Sequence, residues 1–213
     1  MEELIKLDNI SFSYDNKNIL LQNVNFNIYR SDFIGLVGVN GSGKSTLLKL
    51  ITGVIKPTSG SIICNKKIKF GYVNQTTSLE EGAFPATVYE IVSLGICKKP
   101  FRFINKEDKN KIEQVLELFG LSKLKDKSIN SLSGGQMQKV KIAKVLLSNP
   151  DLIILDEPTT GIDTISQEVL LELIRHLHAM KKTILFVSHN VKELEGCTRV
   201  VEISDNGIVE VNK

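Results

Sequence analysis

The chain has 213 residues, enough for one sizeable core and an attached subdomain but hardly for two full domains. Its 27 basic and 24 acidic residues leave a net charge of +3, so electrostatics give no case for nucleic acid as a partner. No apolar run approaches the roughly 20 residues that span a bilayer, and the opening Met-Glu-Glu-Leu-Ile-Lys lacks the layout of a signal peptide. Cys64, Cys97 and Cys197 lie far apart without a C-x-x-C pair, which fits a reduced, cytoplasmic setting. Any membrane role is expected to come through a partner.

The first thirty residues alternate. Ile10, Phe12 and Tyr14 take every second place, as do Val24, Phe26 and Ile28 with asparagines between them. That period marks two half-buried antiparallel strands, joined by a turn over Asp15 to Asn18. Phe33, Ile34, Leu36 and Val37 form a short apolar strand, followed by Gly38-Val-Asn-Gly-Ser-Gly-Lys-Ser45 and a helical run from Thr46 to Thr52 that Gly53 can end. After a turn at Lys56 to Gly60 come short strands from Ser61 to Cys64 and from Ile68 to Val73.

From Thr87 the pattern is helical. One helix runs from Thr87 to Leu94 and stops at Gly95. A second is capped by Asn105, carries Ile112, Val115, Leu116 and Phe119 on one side and ends at Gly120. A further helix spans Gln136 to Ser148, and a strand covers Leu152 to Leu155. The next helix is expected to open on a Thr164-x-x-Gln167 capping box, with Ile165, Val169, Leu173, Ile174 and Leu177 at helical spacing. Thr183 to Val187 reads as a buried strand. The chain closes with a hairpin of Val200 to Ile203 and Ile208 to Val211, turned at Asp205-Asn206-Gly207.

Residues 38 to 45 match G-x-x-x-x-G-K-[ST], the P-loop, between a strand and a helix as the chemistry requires. Glycines let successive N–H groups face a phosphate, and the helix adds its positive end. Gly38, Val39, Asn40, Gly41, Ser42, Gly43, Lys44, Ser45 and Thr46 are thus expected to bind a nucleotide, with Lys44 on the phosphates and the Ser45 hydroxyl on Mg²⁺; the P-loop alone does not separate kinases, GTPases and ATPases. Leu152-Ile-Ile-Leu-Asp156-Glu157 is an apolar strand ending in paired acids. Asp156 is suited to the Mg²⁺ and Glu157 to accepting a proton from the attacking water. Leu132-Ser133-Gly134-Gly135-Gln136 opens a helix with two glycines and offers a second anion surface; taken alone, it is also an ordinary N-capped loop. His176 and His178, two positions apart on a helix, do not share a face and read as surface residues.

In this order the motifs resemble the ATP-binding subunits of ABC transporters, in which Leu-Ser-Gly-Gly-Gln is the signature just upstream of the Walker B strand. The resemblance covers essentially the whole chain. It implies an α/β fold, a P-loop NTPase core with an antiparallel β subdomain and an inserted α-helical subdomain. The parts would be residues 1–32 (mainly antiparallel β), 33–83 (P-loop core to Q-loop), 84–130 (helical) and 131–213 (signature, Walker B, switch histidine, hairpin) of a single domain. It implies that Tyr14 stacks on adenine, that Gln75 contacts Mg²⁺ and water, that Asp163 lies in the D-loop and that His189 contacts the γ-phosphate. Two subunits are then expected to dimerise head to tail, with Ser133, Gly134, Gly135 and Gln136 acting on ATP at the partner's P-loop. The helical insert would pass the motion to a membrane permease, placing the protein at the cytoplasmic face of the cell membrane. Val39 departs mildly from relatives, which often have Pro there.

Phe84-Pro-Ala-Thr-Val-Tyr-Glu-Ile-Val-Ser-Leu-Gly95 and Gly161-Ile-Asp-Thr-Ile-Ser-Gln167 are similar to runs in zinc and manganese uptake ATPases. Import of a divalent metal, selected by a separate extracytoplasmic binding protein and the permease, is the expected function. Iron-chelate and cobalt importers carry related runs and stay as alternatives. So do ABC ATPases of DNA repair and translation, although those usually carry two ATPase units or a long coiled coil. Phe101 and Phe103 are expected to belong to an exposed apolar patch on the insert.

Overall fold

The computed structural model describes residues 2–15, 18–64, 67–74, 85–96, 103–204 and 207–211. Strands β1 (Glu3–Ser13) and β2 (Ile19–Tyr29) pair antiparallel, as their alternation implies, and β4 (Ser59–Cys64) joins the free edge of β1. The remaining strands form a six-stranded sheet in the order β5 (Phe70–Val73), β6 (Leu152–Asp156), β7 (Ile184–Val187), β3 (Phe33–Val37), β8 (Arg199–Ser204), β9 (Gly207–Val211). All its pairings are parallel except β8 with β9.

A parallel sheet covered on both faces needs apolar residues at every strand position, and side-chain alternation sends them to two cores. Phe33, Ile153, Leu155, Ile184, Phe186 and Val200 enter one core. Ile34, Leu36, Ile154, Leu185, Val187 and Val201 enter the other. The second core is closed by the inward residues of β1 and β2 and by helix α1 (Lys44–Ile51). The first is closed by α2 (Val88–Ser93), α3 (Lys106–Leu118), α4 (Gly134–Leu147) and α5 (Thr164–Ala179). Gly95 lets the end of α2 lie directly on α4, because a Cβ there would overlap the Lys144 carbonyl. The helical insert therefore shares one apolar cluster with the parallel sheet.

Several helix ends follow the sequence. Asn105 caps α3 in a capping box with Asp108, and Gly120 adopts φ 65 just after the helix. Thr87 and Glu90 form another capping box at α2. Helix α5 differs from expectation. Its cap is Asp163, which accepts from the Ser166 N–H, and Gln167 instead donates to the carbonyls of Thr159 and Ile162. Asp163 wins because its carboxylate reaches the first-turn N–H while its backbone remains extended. The buried stripe is as expected at Ile174 and Leu177, with Leu173 packed partly buried against the core, but not at the start of the helix. Leu170, Ile174 and Leu177 face the core, whereas Ile165 and Val169 are exposed. His178, expected on the surface, is half-buried, with its ring against Phe33 and Nε2 3.0 Å from the Ser31 carbonyl.

One polar contact ties the two sheets together. Arg199 of β8 donates to the Asn27 carbonyl at 2.6 Å and to the Asp32 carboxylate at 2.8 Å. Its guanidinium also lies 5.8 Å from the Phe26 ring centre and 5.6 Å from that of Tyr29, within cation–π range. Removing it leaves the Asp32 carboxylate, only 9% exposed, without its cationic partner and with the Tyr29 N–H at 2.8 Å still donating to it. Arg199→Ala should lower the unfolding free energy by about 3 kcal/mol, the low end for a pair broken from one side, since Arg199 keeps partial contact with water. Arg199→Lys should fall between, keeping charge but losing the fork. Urea titration checks both; a change near zero for Arg199→Ala would show that the sheets hold together without this contact.

Candidate nucleotide site

Parallel strands end at one edge, so the loops after β3, β6 and β7 meet there, where open α/β sheets bind ligands. The loop after β3 turns through Gly38, Gly41 and Gly43 into α1. Gly43 stands at the helix cap with φ 96, and no side chain occupies the first N–H groups of the helix. A side chain at Gly43 would also press on Leu21. Lys44 is buried, and its ammonium donates to the carbonyls of Gly38 at 2.7 Å and Val39 at 2.9 Å. The charge is thus folded against the carbonyls of the loop, and the Ser42 N–H closes the turn on the Val39 carbonyl at 3.2 Å. The Ser42 hydroxyl is buried and has no partner among the described residues.

A cavity of about 310 Å³ is lined by Asn40, Gly41, Gly43, Lys44, Ser45, Thr46, Leu20 and Glu157. Glu157 and Asn40 also line a larger one of about 590 Å³, together with Gly38, Val39 and His189. The P-loop, the acid after β6 and the histidine after β7 therefore surround the same space. Tyr14 stands beside it, 62% exposed, with its hydroxyl 3.2 Å from the Thr46 hydroxyl and its ring edge-on to Phe12. An exposed aromatic held at one edge offers its face to a planar base.

Asp156 ends β6. Burial raises its carboxyl above the usual carboxylate range, against a hydrogen bond from Tyr72, with Glu157 adding to the rise and Lys44 opposing it. Tyr72 Oη donates to Asp156 Oδ2 at 2.8 Å. Burial first, and then this bond, push the Tyr72 phenol well up from its ordinary value. Glu157 occupies the left-handed region at φ 49, where a non-glycine residue is strained. Its N–H donates to the Val187 carbonyl at 3.0 Å, which holds the strained turn against β7. One carboxylate oxygen lies 3.7 Å from His189 Nδ1 and the other accepts from the Thr160 hydroxyl at 3.2 Å. The His189 ring is largely exposed, at 64%.

The signature residues lie elsewhere. Ser133 caps α4 in a capping box with Gln136, and neither they nor Gly134 or Gly135 line the cavities around the P-loop. Gly135 packs so closely on Ser166 that a Cβ would sit 2.6 Å from the Ser166 Cβ, and Gly134 backs onto Ile162. The signature helix thus leans on the Asp163 turn of its own chain. Gln75 lies outside the described residues, as do Phe84, Phe101 and the hairpin residues Asp205 and Asn206. Phe103 is 92% exposed. Tyr72 and Thr160 were not singled out as site residues from the sequence. Tyr72 meets Asp156 only because β5 pairs with β6 in the register Tyr72 to Ile154, and no local pattern carries that pairing.

Comparison with known proteins places the chain in a family. The sequence pattern of the ABC transporter family matches residues 21–160. The zinc uptake system ATP-binding protein ZurA of Listeria monocytogenes is 38% identical over 224 aligned positions, covering 100% of this chain and 84% of that protein. The high-affinity zinc uptake system ATP-binding protein ZnuC of Bacillus subtilis is 37% identical, covering 90% of this chain and 87% of that protein. Among solved structures, a dimeric ATP-binding cassette in a post-hydrolysis state with ADP and phosphate superposes with a TM-score of 0.80 at 28% identity, covering 99% of this chain and 100% of that one. The chain belongs to the ABC transporter family, as one of its ATP-binding cassettes.

Proposed function

We propose that this chain is the ATP-hydrolysing subunit of an importer for a divalent metal ion, zinc or manganese, working as a head-to-tail dimer under a membrane permease. The observation that supports the catalytic part is that Glu157 and Asn40 line two cavities at the strand ends, one shared with Lys44 and the other with Gly38, Val39 and His189. The zinc cargo rests on the relatives, two of which are zinc uptake proteins. No helix among the described residues is long and apolar enough to cross a membrane, so the permease supplies the path. The subunit would act at the cytoplasmic face, and an extracytoplasmic binding protein would deliver the metal.

In this reading Tyr14 takes the adenine, the P-loop amides and Lys44 take the phosphates, and Glu157 accepts a proton from the attacking water. The water oxygen bonds to the γ-phosphorus, the bond from that phosphorus to the β–γ bridging oxygen breaks, and ADP leaves with that electron pair. His189, beside Glu157, would steady the γ-phosphate, and Gln75 would contact the same water. The Ser45 hydroxyl and the Asp156 carboxylate are hard oxygen donors, the set that Mg²⁺ takes. When bound there, Mg²⁺ would offset the negative charge of the β- and γ-phosphate oxygens. The start of α4, where Ser133 and Gly134 are exposed beside Gly135 and Gln136, would close over ATP held by the partner subunit. Its position away from this chain's own cavity supports that requirement for two copies. Exposed Phe103, on the insert, would lie toward the permease.

Three experiments test this reading. Glu157→Gln keeps shape but removes the base, so it should bind Mg·ATP, accumulate as a dimer and lose about 10²-fold or more in turnover. Rapid-quench hydrolysis and size-exclusion chromatography measure both, and near-normal turnover would refute the role. Ser133→Arg and Lys44→Ala should each be inactive, yet mixing them should restore part of the activity, because the mixed dimer keeps one intact composite site. A demonstrated mixed dimer without activity would argue against sharing in trans. For the cargo, deleting the gene should slow growth in metal-depleted medium, with recovery on added zinc or manganese and reduced uptake of the radioactive ion. Recovery on an iron chelate or cobalt alone would assign a different substrate.

A further inference from the structure

We propose that Glu193 is a positioning residue that fixes the spacing between Glu157 and His189. It rests on the reading that those two residues act on the γ-phosphate. Glu193 lies in the short 3₁₀ turn Val191–Leu194, four residues after His189. One oxygen of its carboxylate accepts two hydroxyls, from Ser188 at 2.7 Å and from Thr159 at 2.8 Å. Ser188 is only 2% exposed and Thr159 only 4%. Two buried hydroxyls from separate loops thus depend on one anion, and hydrogen bonds to a charged acceptor are the stronger kind.

The position of this carboxylate in the chain gives it a use. Ser188 directly precedes His189, and its hydroxyl oxygen also accepts the Asn190 N–H at 2.9 Å. The Asn190 carbonyl in turn accepts the Glu193 N–H at 3.1 Å. His189 is therefore flanked on both sides by residues bound to Glu193, while its own ring stays largely free of the protein. Thr159 follows Glu157 by two residues, and its carbonyl is held by Gln167 of α5 at 3.1 Å. One end of the device is anchored to α5 and the turn after β6, the other to the loop after β7. A backbone bond from Glu157 to Val187 already joins these loops at their base. Glu193 joins them again further out, beyond the two side chains that must meet the phosphate. The loop carrying His189 is otherwise fixed near its base, where the Ser188 N–H donates to the Leu36 carbonyl at 3.2 Å.

The test uses the full-length chain with Glu193→Leu, which keeps volume but offers no acceptor, and Glu193→Gln, whose carbonyl oxygen can accept both hydroxyls. Glu193→Leu should lower kcat by about tenfold or more while leaving the affinity for Mg·ATP within about threefold, and Glu193→Gln should recover most of the lost turnover. The deciding measurement is the pair with His189→Ala. If Glu193 acts through His189, adding Glu193→Leu to His189→Ala should cost almost nothing further. Independent, multiplying losses would overturn the proposal, as would normal kcat in Glu193→Leu when His189→Ala is slow. A near-normal His189→Ala would instead remove the reading beneath it. Should Glu193→Leu fail to fold, Thr159→Val supplies the same cycle: a kcat loss that persists beside His189→Ala would overturn the proposal, and one that vanishes would support it.

Discussion

Parallel pairing of β3 with β7 on one side and β8 on the other is the constraint on which the site depends. It sets the ends of β3, β6 and β7 at one edge of the sheet, so three loops distant in sequence are brought together. Each loop arrives with one piece of chemistry: the P-loop, the Asp156–Glu157 pair and His189. The pairing is itself secured by burial, since every residue of β7 is buried and alternate residues feed different cores. A one-residue slip would exchange the two sets and turn each strand's packing inside out.

Polar groups at this edge are tied to protein partners. Lys44 satisfies its ammonium on two loop carbonyls, which also keeps those carbonyls away from an incoming phosphate. Asp156 accepts a hydrogen bond from the Tyr72 hydroxyl in a buried setting that disfavours its charge. Glu157 keeps a strained backbone because its N–H is taken by β7 and its side chain by Thr160. Strain at Glu157 is thus balanced by ordinary hydrogen bonds on both sides of it.

The two glycines of the signature serve a neighbour within the chain as well as the surface expected to face a nucleotide. Gly135 admits Ser166 at the start of α5, and the Asp163 cap organises the same turn. Helix α5 also supplies Gln167, which holds the Thr159 segment next to Glu157. The signature helix and the catalytic edge are therefore linked through one helix, by contacts too close for any side chain larger than hydrogen at position 135.

Local chemistry was legible in the sequence wherever it repeats over a few residues. The alternation of β1 and β2, the P-loop between strand and helix, the Asn105 cap and the apolar run into Asp156 all depend on near neighbours, and all stand as read. Where two local rules competed, the outcome was decided by the backbone: Asp163 rather than Thr164 capped α5, and Leu170 joined Ile174 and Leu177 in the core while Ile165 and Val169 stayed exposed. Nothing in the sequence pattern said that His178 would rest on Phe33, that Tyr72 would bond Asp156 or that Glu193 would gather Ser188 and Thr159. The sequence by itself determined which chemistry the chain carries, because a phosphate loop or an acidic strand end is written in adjacent residues. Tertiary structure alone decided which groups meet, because strand order and parallel register are set by burying two faces at once, a property of the whole sheet.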